Sequence, residues 1–201
     1  MPRQLNIAWH KLSSLFWESY LGIDTRGAVQ PPTEEGVHYT PLPYPMIFRM
    51  FDVLELNSDD VFVDIGCGKG RVVCCACRLP INKVVALELN AELLGQASAN
   101  VRHVRGGIAP VLPVSKSAEE YDYADVTVAY LYNPFNERLT AGVMDRLFAS
   151  YSERPRPMRI VYANPVHEGV MSRHGWLKKH DEWSASAFPV FGYRVSFWKT
   201  L

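Results

Sequence analysis

The sequence predicts an α/β fold, a doubly wound and mostly parallel seven-stranded sheet that ends in an antiparallel hairpin and carries an N-terminal helical cap. Three observations predict it. Short apolar runs alternate with segments of helical period between residues 61 and 163, three glycines stand at alternate positions after the first of those runs, and the tail holds two strand-like runs with no helix between them.

Taken in order, the first twenty residues place Leu5, Trp9, Leu12, Phe16 and Tyr20 at steps of three or four, the spacing of one helical face. Residues 22–44 are punctuated by Gly27, Pro31, Pro32, Gly36, Pro41 and Pro43 and read as a long loop, a length that often belongs to lids. Residues 45–56 carry Ile47, Phe48, Phe51, Val53 and Leu54 on a second helix, which residues 57–59 stop. A strand follows at 61–65, a helix at 70–78, a strand at 83–88, and a helix at 91–103 with Leu93, Leu94 and Ala97 along one side. Strands are expected at 108–114, 125–132 and 158–163, with a helix at 137–151. The runs at 175–183 and 190–199 suit a hairpin at a sheet edge. Residues 1–55 are expected to form cap and lid loop, and residues 56–201 the core, of one compact domain.

Composition narrows the function classes. The 201 residues are 48% hydrophobic and 21% charged, which excludes extensive disorder. The 21 Lys and Arg balance the 21 Asp and Glu, so no net field concentrates nucleic acid or an anionic membrane. No apolar run approaches the roughly 18 residues of a membrane span, and a soluble, cytoplasmic chain is expected. Cys67, Cys74, Cys75 and Cys77 lie in one short segment that cannot staple distant parts of a fold, so reduced thiols are expected. Their spacing lacks paired C-x-x-C arms, and no metal is expected.

In a doubly wound sheet, ligands bind beyond the carboxyl ends of the strands at the switch point. After strand one the chain reads Asp64-Ile65-Gly66-Cys67-Gly68-Lys69-Gly70-Arg71. The glycines remove Cβ atoms where strand turns into helix, so a ligand can lie against bare backbone. No Ser or Thr follows the lysine, which excludes a P-loop, and Arg71 stands where a G-x-G-x-x-G turn needs its third glycine. Glu88 ends strand two about twenty residues later, where a carboxylate can accept both hydroxyls of a ribose, which fits an adenosine-bearing ligand.

From Pro45 to Leu201, the motif Asp64 to Gly70, Glu88 and the order of elements resemble a class I, Rossmann-like S-adenosylmethionine-dependent methyltransferase. The loop Tyr39-Thr40-Pro41 and the Asp-Ile-Gly-Cys-Gly-Lys-Gly-Arg turn are similar to small bacterial methyltransferases and, more distantly, to non-SET histone-lysine methyltransferases. The resemblance implies that Asp64, Gly66 and Gly68, with Cys67 in the turn, hold the methionine portion of S-adenosyl-L-methionine. It implies that Glu88 holds the ribose and that Leu89 flanks the adenine. Ser117-Ala118 stands where family members carry an acidic residue before a small one, which leaves the Ala118 amide as the adenine contact and Glu119 as the nearest acid. Tyr39 and Thr40 can close over the cofactor, and ordinary loop packing explains them equally well.

At the end of strand four, Asn133-Pro134-Phe135 resembles the Asn-Pro-Pro-aromatic motif of amino-group methyltransferases with one proline missing. It implies that Asn133 contacts the acceptor. The same pair serves equally well as a helix cap with proline in the first turn, and both roles can hold together. Candidate bases are His167, after Asn164-Pro165, and His38 in the lid loop, with Tyr39 beside it, while Tyr132 and Phe135 can wall a cationic amine. Trp9, Phe16, Trp17 and Tyr20 suit a cover over the acceptor, a homodimer surface or plain packing. With zero net charge, the expected acceptor is a small-molecule amine or hydroxyl rather than nucleic acid. The alternatives are a protein lysine or other side chain as acceptor, a nicotinamide-dependent oxidoreductase, and a binding module that keeps the cofactor without catalysis.

Overall fold

The computed structural model describes residues 3–27, 41–184 and 194–201, with side chains from residue 11 onward. His38, Tyr39 and Thr40 lie outside the described residues, as do the side chains of Leu5 and Trp9 and residues 190–193 of the last expected strand.

Among the described residues two helices precede the sheet, α1 (Arg3–Leu21) and α2 (Tyr44–Leu54). Pro45 sits in the first turn of α2, where its missing N–H leaves no bond unmade. The helix stops at Leu54, ahead of the polar residues expected to end it, because Glu55 turns left-handed at φ 47° and its N–H returns to the Phe51 carbonyl. The remaining elements are β1 (Val61–Ile65), α3 (Arg71–Ala76), β2 (Lys83–Glu88), α4 (Ala91–His103), β3 (Val111–Ser115), β4 (Val128–Tyr132), α5 (Glu137–Glu153), β5 (Arg159–Ala163), a 3-10 segment (Glu168–Gly175), β6 (Leu177–Trp183) and β7 (Val195–Thr200).

The seven strands stand in the order β3-β2-β1-β4-β5-β7-β6. The first five are parallel, while β7 inserts antiparallel between β5 and β6. The expected hairpin is therefore present, with its second strand on the inside. β1 pairs with β2 on one side and β4 on the other, so the order reverses at β1 and opens a crevice beyond its carboxyl end.

Helices cover both faces. Phe62, Val84, Ala86, Val128 and Val161 pack under α2 and α3 against Ile47, Met50, Phe51 and Val73. Val63, Ile65, Val85, Leu87, Ala129 and Ile160 pack under α5 against Val143, Met144 and Leu147. All of β1 is buried, as a central parallel strand covered on both faces must be.

Two strands begin later than their apolar runs suggest. Ile108 and Ala109 donate to the Cys77 carbonyl, and Pro110 has no N–H, so β3 starts at Val111. Val126 closes a turn onto the Tyr123 carbonyl and Asp125 pairs with Lys83 at 2.5 Å, so β4 starts at Val128.

Candidate functional site

The turn after β1 is fastened to the end of β2. Gly66 and Cys67 both donate to the Leu87 carbonyl, at 2.9 and 3.0 Å, and Gly70 donates to the Cys67 carbonyl at 2.9 Å. Gly66, Gly68 and Gly70 have φ of 77°, 55° and 78°, a region other residues adopt only under strain. Two of the glycines are also required by packing. A Cβ on residue 66 would fall 2.8 Å from the Pro134 ring, and a Cβ on residue 70 would fall 3.0 Å from Ala97 of α4. The end of β4 thus lies directly against the glycine turn.

Glu88 is held in place from two sides. Its Oε2 accepts the Gly68 N–H at 2.9 Å and its Oε1 accepts the Asn90 N–H at 2.9 Å. Asn90 in turn caps α4, its side chain accepting from Glu92 and Leu93. Each carboxylate oxygen keeps a free lone pair, so Glu88 can still accept hydroxyl donors. Leu89, beside it, is 52% exposed, an apolar surface next to the carboxylate.

Asp64 differs from Glu88 in having no hydrogen-bond partner among the described residues. It is 3% exposed and its carboxyl makes no hydrogen bond among the described residues. Burial, and to a lesser degree the Glu88 carboxylate, push its pKa well above the usual carboxyl value. A buried acid without a partner is costly, and an ammonium group entering the crevice would relieve it. Cys67 is buried with its thiol pKa raised by the same causes, desolvation first.

At the end of β3, Ser115 pairs in register with Glu88. The Ser117 hydroxyl accepts the Glu119 N–H at 3.4 Å, and the buried Ala118 gives its carbonyl to the Tyr123 hydroxyl at 2.9 Å. The Ala118 N–H makes no hydrogen bond among the described residues, which leaves it available to a ring nitrogen.

The ends of β4 and β5 repeat one local form, a left-handed asparagine before a proline, at Asn133 (φ 39°) and Asn164 (φ 49°). Asn133 does not cap the next helix. That role falls to Asn136, whose side chain accepts the Leu139 N–H at 2.9 Å, because α5 begins at Glu137 rather than after Pro134. Asn133 instead receives the Tyr162 hydroxyl on its Oδ1 at 3.2 Å, and the same hydroxyl accepts the His167 N–H at 3.4 Å. Tyr162 thereby joins the two acceptor-side candidates, Asn133 and His167.

No family model matches the chain. A protein-lysine N-methyltransferase of Saccharolobus islandicus (strain REY15A) is 31% identical over 107 residues, a match spanning 51% of this chain and 65% of that protein. An RNA methyltransferase from Salinibacter ruber, solved with S-adenosyl-L-homocysteine, superposes with a TM-score of 0.59 at 22% identity, over 80% of this chain and 94% of its own. A methyltransferase from Aquifex aeolicus superposes with a TM-score of 0.57 at 11% identity, over 77% and 89%. The chain has the class I methyltransferase fold.

In this methyltransferase fold one buried ionic pair was not anticipated from the sequence. Arg71, the first residue of α3, meets Glu18 of α1 at 2.8 Å, and both side chains are 4% exposed. The signal that would have located it is an arginine inside the otherwise apolar helix Arg-Val-Val-Cys-Cys-Ala, which burial obliges to find a carboxylate. The aromatic residues of α1 divide. Trp17 packs on Phe48 of α2 at 4.6 Å between ring centroids, whereas Phe16 and Tyr20 face outward.

Proposed function

We propose that the chain is an S-adenosylmethionine-dependent methyltransferase acting on an amine nitrogen, with a protein lysine side chain as its acceptor. The observation that carries the cofactor half is Asp64, buried, without a hydrogen-bond partner among the described residues and set in β1 just before the glycine turn. Its carboxyl suits the α-ammonium of the methionine portion. Glu88, pinned by the Gly68 and Asn90 amides, suits the ribose diol, and Leu89 with the free Ala118 amide suits the adenine. When bound there, the sulfonium supplies a methyl group open to in-line attack by an amine.

The chain's own residues orient the acceptor. The Tyr162 hydroxyl receives the His167 amide proton and donates its own to Asn133, so the Asn133 Oδ1 keeps one lone pair for an acceptor N–H. A lysine ammonium has to lose a proton before it attacks, and the half-buried His167 ring is the candidate to receive it. The lysine reading is supported by the similarity to the Saccharolobus protein-lysine N-methyltransferase, and a free small-molecule amine is the competing acceptor.

The experiment incubates the protein with S-adenosylmethionine and either a lysine-rich protein or a panel of small amines. Methylated lysine, detected by mass spectrometry and lost in Asn133→Ala, supports the reading. Methylation of the amines alone would replace the acceptor, and the absence of S-adenosylhomocysteine binding by calorimetry would overturn the cofactor assignment.

A further inference from the structure

We propose that Arg71 is a positioning residue through which the N-terminal segment and the glycine turn fold onto each other, so that docking of residues 18–26 and cofactor binding are one coupled event. The inference rests on the cofactor reading above and adds a residue outside the pocket to it.

The Arg71 guanidinium divides its donors among three stretches of chain. Nε donates to the Thr25 hydroxyl at 2.7 Å, Nη1 to the Leu42 carbonyl at 3.0 Å, and Nη2 to the Glu18 carboxylate at 2.8 Å, while its plane lies 4.5 Å from the Tyr44 ring centre. Glu18 is engaged further by the Thr25 N–H at 3.1 Å and hydroxyl at 2.7 Å, and by Arg26 at 3.0 Å. A second fastening runs through α4. Asn100 accepts the Asp24 N–H and donates to the carbonyls of Asp24 and Lys69, each at 2.9 Å. Lys69 also donates from its ammonium to the Arg26 carbonyl.

These bonds meet at Lys69 and Arg71, the two residues that flank Gly70. Gly70 holds its left-handed form with Ala97 against it, and its neighbours are tied to the N-terminal segment, Lys69 through its ammonium and by way of Asn100, Arg71 through its guanidinium. If residues 18–26 leave, the buried Arg71 charge loses its carboxylate and keeps only the Leu42 carbonyl and the Tyr44 ring, or must swing out and carry the first turn of α3 with it. Removing one partner of a buried ion pair is strongly destabilising because the other stays desolvated. The turn that presents the Gly68 N–H to Glu88 is therefore stiff only while the segment is docked. Coupling between two equilibria is reciprocal, so the ligand must stabilise the docked segment by the factor with which the docked segment tightens the ligand.

The test measures both directions. Glu18→Gln removes the charge from the carboxylate that faces Arg71 and is expected to weaken S-adenosylhomocysteine about tenfold. In the wild-type protein, saturating S-adenosylhomocysteine is expected to slow tryptic cleavage after Arg26 by a similar factor, because cleavage requires the segment to open. A rate of cleavage at Arg26 unchanged by the ligand, or ligand affinity unchanged in Glu18→Gln, overturns the proposal. The protection measurement needs only wild-type protein, so it decides the matter even if Glu18→Gln does not fold. Wild-type protein that does not bind S-adenosylhomocysteine at all fails the cofactor reading itself, whereas binding without protection fails the coupling alone.

Discussion

The ring of Pro134 lies against the bare α-carbon of Gly66, so that a side chain on residue 66 would begin 2.8 Å from the Pro134 Cβ. This contact joins the glycine turn after β1 to the end of β4, where the proposed function places the acceptor. Gly66→Ala meets both the clash and a φ of 77°. Strain and overpacking together should cost about 3 kcal/mol and lower the melting temperature by roughly 10 °C. Adding Pro134→Ala should return part of the loss by opening the space. A Gly66→Ala protein that melts and binds S-adenosylhomocysteine like wild type would show that the contact does not constrain the turn.

Glu88 supplies a second, separable prediction. Glu88→Gln keeps the shape of the side chain but sets an amide donor against one of two backbone N–H groups, those of Gly68 and Asn90. Charge-assisted hydrogen bonds contribute about 1.5 to 3 kcal/mol, so S-adenosylhomocysteine affinity should fall roughly 10- to 100-fold. Calorimetric titration reads the change. An unaltered affinity would remove Glu88 from the ribose contact.

Asp64 gives a pH dependence with a definite sign. Burial and the neighbouring Glu88 raise its pKa in the folded protein above the ordinary value of 3.8. Between the unfolded and folded values the native state holds a proton that the unfolded chain has lost, so stability should decline as pH rises through that window. An ammonium bound beside Asp64 favours the carboxylate, so ligand binding should expel the proton and tighten as pH rises through the same window. Titration in buffers of different ionisation heat measures the proton released. A binding heat independent of buffer throughout the window would show that Asp64 is already charged before the ligand arrives, and Asp64→Asn should abolish any release.

The four thiols are free and buried. Desolvation pushes Cys75 up to about 12 and Cys77 up to about 11, and raises Cys67 well beyond the usual thiol. Thiolate is the reactive form, so all four should resist a disulfide reagent near neutral pH and react together on unfolding. Fast labelling of one thiol in the native protein would contradict the packing around α3.

The legible parts of this chain were those whose determinants are local. β1, β2 and α4 keep the bounds read from the sequence, because the residues that punctuate them, such as Asp60 before β1 and Asn90 before α4, are adjacent in sequence. The glycine turn and Glu88 were legible for the same reason, their spacing being set by one strand-turn-helix-strand unit. The ion pair of Glu18 with Arg71 spans 53 residues, and nothing near either residue names its partner. The cap reading of Asn133, one of the two left open for it, does not hold, because Pro134 and Phe135 stand outside the helix and Asn136 is the residue directly before it. Only the position at which α5 starts separates the two asparagines.

That separation yields the last prediction. Asn136 accepts the Leu139 N–H and so carries the capping energy, whereas Asn133 points its Oδ1 at the Tyr162 hydroxyl. Asn136→Ala should therefore cost about 1 kcal/mol, lower the melting temperature by roughly 3 °C and leave turnover per folded molecule unchanged. Asn133→Ala should do the reverse, reducing kcat by about 10- to 100-fold with little effect on melting or on S-adenosylhomocysteine affinity. Tyr162→Phe removes the donor that orients Asn133 without removing Asn133, so its kcat should fall between wild type and Asn133→Ala. Because Tyr162 acts through Asn133, the double variant should be no slower than Asn133→Ala alone. Additive losses in that cycle would mean that Tyr162 and Asn133 serve the reaction separately, and a melting loss confined to Asn133→Ala would return the capping role to it.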